Sequence, residues 1–143
     1  MRTFYIYDVN ELCYDMYQNY PYQLYKIFED IYYTSKYNKR IAISSYDGII
    51  QKFNKQFVHD FLLVHFRLNH FYHYKNGVHT ISNYQEYSRL LVSSYSLKII
   101  ISNNYSNFLK EIDKYSECMF VCDFKNNDYF WLHKVVKKNL IKE

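Results

Sequence analysis

The chain has 143 residues, 49% hydrophobic and 22% charged, with a net charge of +4, two glycines, one proline and three cysteines. That length suits one ordinary domain with its own core, and Gly48 and Gly77 lie too far apart to write a GxGxxG, GxxxxGK(S/T) or GxSxG signature. There is no HExxH, the longest strictly aliphatic-aromatic run (Phe61 to Val64) is far short of a bilayer span, and Asp8 and Glu11 precede any apolar stretch of the secretory kind, so a soluble cytoplasmic protein is expected.

Residues 3–9 (TFYIYDV) alternate and are rich in β-formers, which predicts a first strand. Asn10 is placed to cap a helix running from Glu11 to about Gln18, and Pro21 stands where a second helix would begin. In that second helix Leu24, Ile27, Phe28 and Ile31 form one apolar stripe. Residues 33–40 are polar and read as loop. Ile49, Phe53, Phe57, Phe61 and Val64 return to helical spacing, with a break expected near Asp60. Lys75-Asn76-Gly77 reads as a turn, and the β-rich runs 89–93 and 96–102 flank Ser94-Tyr95 as a hairpin. A helix over 105–115 would bury Phe108, Leu109 and Ile112. The end reads as a strand over 118–124, a turn over 125–128 and a strand over 129–134. No repeat, linker or low-complexity block divides the sequence. The expectation is one α+β domain over residues 1–143, with a mostly antiparallel sheet of about five strands and helices packed on it.

The composition is biased: 19 tyrosines stand beside a single alanine, Ala42. The enriched residues have A+T-rich codons, so the aromatic surplus reads as genome drift ahead of a stacking platform for single-stranded nucleic acid. Lys134, Lys137, Lys138 and Lys142 crowd the C-terminal end, which reads as a solvated, frayed tail ahead of a phosphate-binding one. An odd number of cysteines in a chain without a signal argues for free thiols. Cys118 and Cys122 fall in an apolar strand and would stand roughly 13 Å apart, too far to share a metal or a disulfide.

Histidine offers the main foothold for catalysis. His65, His70, His73 and His79 cluster, with HxxH spacing between His70 and His73, but the nearest carboxylates are Asp60 and Glu86. Zinc needs three or four converging ligands, so these read as solvated loop histidines, and no metal or cofactor is expected. The carboxylate pairs Glu29-Asp30, Glu111/Asp113 and Asp123/Asp128 each fit local helix or turn roles. No acid–base dyad stands out, and the chain does not read as an enzyme.

The most distinctive stretch is Cys118-Met119-Phe120-Val121-Cys122-Asp123-Phe124, a polar turn, then Tyr129-Phe130-Trp131-Leu132 with the sole tryptophan. It resembles the closing hairpin of the SirA family, the sporulation inhibitors of replication. Tyr5-Ile6-Tyr7, Ile27-Phe28-Glu29-Asp30 before Tyr32, and His65-x-Arg67-Leu68 resemble further parts of that pattern, so the likeness runs over nearly the whole length. The resemblance implies a non-catalytic inhibitor of replication initiation that binds the N-terminal domain of the initiator DnaA and masks its regulator-docking surface. It implies partner contacts from two aromatics one turn apart on the first helix, which fall here on Cys13 and Tyr17, and a further contact around Gln51.

One of those aromatics is therefore a cysteine in this sequence, and the neighbouring Tyr14 is placed to substitute. On a helical wheel Leu12 and Met16 form a stripe suited to the core, with Cys13 and Tyr17 about 100° round from it. Cys13, Tyr14 and Tyr17 would then present an apolar-aromatic edge, or Tyr17 would simply pack on the second helix. The alternative function is a small basic nucleic-acid-binding domain that uses the lysine tail and exposed tyrosines. No membrane or small-molecule partner is implied.

Overall fold

The computed structural model describes residues 1–102 and 106–142. Along them run β1 (Arg2–Asp8), α1 (Glu11–Tyr17), α2 (Pro21–Ser35), α3 (Lys39–Asp47), α4 (Lys55–Phe66), β2 (Tyr72–Lys75), β3 (Val78–Ser82), β4 (Tyr87–Val92), β5 (Leu97–Ile101), α5 (Asn107–Ile112), β6 (Met119–Asp123), β7 (Asp128–Trp131) and α6 (Leu132–Lys142). The strands form one sheet in the order β2-β3-β4-β5-β1-β6-β7, and every adjacent pair is antiparallel.

Side-chain alternation along β1 sorts residues to the two faces. Phe4 and Ile6 join one core with Leu97, Ile99 and Ile101 of β5 and Val58, Leu62 and Phe66 of α4. Tyr7 and Val9 join the other with Leu24, Tyr25 and Phe28 of α2 and Phe120 and Trp131 of the closing hairpin. The second core is largely aromatic: Tyr7 stacks on Phe28 at 4.1 Å between ring centroids and Tyr32 on Phe124 at 4.4 Å. α1 and α2 lie on this face, and α4 and α5 on the first. A domain of helices packed on an antiparallel sheet is thus present, with seven strands where about five were expected.

The two extra strands flank the Lys75-Asn76-Gly77 turn. Their sequences, YHYK and VHTIS, carry polar residues that hide the two-residue period. Asn76 (φ 53°) and Gly77 (φ 78°) are both left-handed, as a tight hairpin turn with the twist of its strands requires. α3 occupies part of the segment read as loop; it buries only Ala42, too little to leave a periodic signal.

The stripe from Ile49 to Val64 does not form one helix. Ile50 bridges Val9, and Asn54 caps α4 by accepting from Phe57 N. α4 runs unbroken past Asp60 and buries Val58, Leu62 and Phe66, leaving Phe57 and Val64 in solvent. The expected helix over 105–115 begins at Asn107; Tyr105 lies outside the described residues. The last strand ends at Trp131, and the lysine-rich end is helical to Lys142 instead of frayed. Among the described residues no helix is long and apolar enough to cross a membrane.

The histidines divide. His65, His70 and His73 are exposed, but His79 is buried in β3, with its ring nitrogens 2.6 Å from the Tyr72 hydroxyl and 2.8 Å from His59. The reading of His79 as a solvated loop residue is therefore corrected: Tyr72 and Tyr74 on the paired strand enclose it. Among the described residues no three His, Cys, Asp or Glu side chains converge as a metal site.

Candidate protein-docking surface

α1 is short, and its position depends on what pins its start. The Asn10 side chain accepts from Cys13 N at 2.9 Å, capping the helix, and donates to Gly48 O at 3.2 Å. Its backbone N–H donates to Ile49 O at 2.8 Å, and Gln51 N donates to Asp8 O at 2.7 Å. The segment after α3 is thereby laced to the β1–α1 junction. This lacing places Gln51, which is exposed, beside the start of α1 although about 40 residues separate them in sequence.

The floor under α1 is the closing hairpin. The Tyr14 ring meets Trp131 edge-on, 4.9 Å between centroids at 82°. Cys13, Tyr14 and Tyr17 all pack against the aromatic core and remain half-buried. Leu12 and Met16 point the other way, 72% and 56% exposed. The wheel orientation drawn from the sequence is thus reversed: the aromatic stripe is drawn onto Trp131, and the aliphatic stripe faces solvent. Apolar tyrosine rings can lie on an aromatic floor while their hydroxyls reach water, an option a leucine-in rule ignores.

The surface of α1 is accordingly an apolar ridge of Leu12 and Met16 over a half-buried aromatic base. Glu11 and Asp15 are exposed on the same helix, and Glu117 is exposed next to the base. Burial raises the Cys118 thiol above its ordinary value, and the carboxylates of Asp8, Glu11, Glu117 and Asp15 raise it further. Tyr14 is raised by the same combination, burial first and then Cys118, Glu117 and Asp15. Burial also raises the Cys13 thiol, against its bond with Asn10. The rim of this patch is therefore negative, although the whole chain is positive. Partway along, Lys134 Nζ of α6 donates to Gln18 O at 2.8 Å and fastens the end of α1 to the molecule.

Of the four residues singled out in the sequence, Cys13, Tyr14 and Tyr17 sit together in α1, and Gln51 flanks its start. Leu12 and Met16, assigned to the core from the sequence, are the exposed apolar pair of this helix. Their signal was present as two apolar side chains four apart in a seven-residue helix, too short to bury two faces. Five of the six carboxylates in the three pairs have structural partners. Asp123 and Asp128 share Arg2, Asp113 meets His133, Glu29 holds Lys26 and Tyr25, and Glu111 holds Lys114.

Residues 2–136 match the sequence model of the family described as sporulation inhibitor of replication protein SirA. No curated protein sequence matches the chain.

Proposed function

The chain belongs to the SirA family, and from that premise we propose that it restrains replication initiation by binding the N-terminal domain of the initiator DnaA through α1, masking the surface where positive regulators dock. The observation that carries this reading is the apolar ridge of Leu12 and Met16 above Cys13, Tyr14 and Tyr17, with Gln51 at its end. An exposed aliphatic pair with aromatic support and a charged rim has the anatomy of an interface centre. No bond needs to be made or broken: the family is one of regulatory inhibitors, and occupancy of the partner's surface is sufficient for its effect. The acidic rim favours a docking surface with basic groups at its edge.

The test is a binding titration against the isolated N-terminal domain of the initiator. Leu12→Ala with Met16→Ala should weaken binding at least roughly 30-fold, the equivalent of about 2 kcal/mol at a hot spot, while the melting temperature stays put because both side chains are exposed. Tyr17→Ala should weaken binding too, but with some loss of stability, since Tyr17 also packs on the aromatic core. Unchanged affinity in the Leu12/Met16 double variant would remove α1 from the interface.

A further inference from the structure

The α1–α2 side of the sheet is only partly covered. Register places Lys98, Leu91, Val78 and Lys75 in one cross-strand row on that side, continuing from Tyr5. Thr3, Ile100, Arg89, Thr80 and His73 form the neighbouring row. None of these side chains is buried, and Ile100, Leu91 and Val78 belong to neither core. An antiparallel sheet can leave one face to water, where charges of both signs are well solvated. Here the charged positions are Lys98, Arg89 and Lys75, with no carboxylate in either row and no ion pair to any of them among the described residues. From β1 to β2 the face spans four strand spacings, about 19 Å.

At its β1 end the face opens into a cleft of about 220 Å³ whose lining includes Thr3, Tyr5, Tyr32, Lys98, Phe124 and Lys125. Its walls are aromatic: Tyr5 and Tyr32 lie 5.2 Å apart and Tyr32 stacks on Phe124. Lysines stand round it, Lys98 Nζ 5.7 Å from the Tyr5 ring centroid and Lys36 Nζ 5.0 Å from that of Tyr32. A flat, ring-lined cleft with cations at its mouth, opening onto a track of unpaired cations, combines the two elements that hold single strands: base contact with aromatic rings and a positive path for phosphates.

We propose that this open face binds single-stranded nucleic acid, one base entering the Tyr5–Tyr32–Phe124 cleft while the following phosphates run over Lys98, Arg89 and Lys75. The surface is separate from the α1 ridge, and the proposal stands or falls independently of partner binding there.

The experiment is fluorescence anisotropy of the full chain with a fluorescein-labelled oligothymidylate. Neutralising three phosphates should make affinity fall roughly 20-fold between about 50 and about 200 mM salt. Arg89→Ala with Lys98→Ala should abolish binding at the higher salt. Lys36→Ala with Lys125→Ala, at exposed positions, should weaken it about tenfold with the melting temperature checked alongside. Lys137→Ala with Lys138→Ala on α6, and Leu12→Ala with Met16→Ala on α1, should leave it unchanged. Absence of binding at low salt overturns the proposal, as does binding that survives both sheet-face variants or that is lost with the α6 pair. Competition by polyglutamate as effective as by unlabelled oligonucleotide overturns it in favour of an acidic protein segment.

Discussion

Arg2 holds two carboxylates that look alike in sequence and differ in surroundings. The Asp123 side chain is 1% exposed and that of Asp128 48%. Burial alone would raise the Asp123 carboxyl, but bonds from Arg2 and Asn126 outweigh it and hold the group below its ordinary value. Removing Arg2 strands a buried charge, so Arg2→Ala should lower unfolding free energy by about 1–3 kcal/mol, whereas Asp128→Ala should cost under about 1 kcal/mol; chemical denaturation separates the two. His79 behaves in the opposite sense. Burial, then the nearby His59, lowers its pKa from 6.5 to about 4. The folded state therefore binds fewer protons than the unfolded one between those values. Stability is full above about pH 6.5 and declines by roughly 1–3 kcal/mol as the pH falls towards 4. Denaturation midpoints measured across that range should flatten in His79→Gln.

At the scale of elements, Asn10 joins helix capping to tertiary placement. Asn10→Ala should cost about 1 kcal/mol of stability and, by loosening α1 from Gly48, also weaken binding to the initiator domain; calorimetry and the binding titration read the two effects. The cap was legible because Asn10 immediately precedes the apolar positions of α1, and α2 was legible because Pro21 and the Leu24–Ile31 stripe agree. α3 was not, since one buried alanine leaves no periodicity. α4 was misphased: Phe53 is buried, but in the extended segment before the helix, so counting from it rotates the wheel onto the exposed Phe57 and Val64. For α1 the sequence carried the helix and reversed its faces: Leu12 and Met16 are exposed, and Cys13, Tyr14 and Tyr17 pack on the aromatic core. Which stripe of a seven-residue helix turns inward is decided by Trp131, over a hundred positions away, and no local pattern records it.

At the scale of the molecule, β1 lies between β5 and β6, while β2 closes one edge of the sheet. Amide hydrogen exchange should therefore be slowest for β1 residues such as Phe4 and Ile6, approaching the global unfolding rate, and fastest among the strands for β2. The register also explains why fold class was readable and strand number was not: β1, β5 and β6 each turn several apolar side chains into a core, whereas β2 buries none and β3 buries only His79 and Ile81. The central position of β1 has a temporal consequence. Its seven residues are made well before one of the neighbours it needs, which ends at Asp123. At about 5–20 residues per second, roughly 6–23 s separate the two. Over that interval β1 has at most β5 beside it, so the sheet closes round it only once β6 has been made.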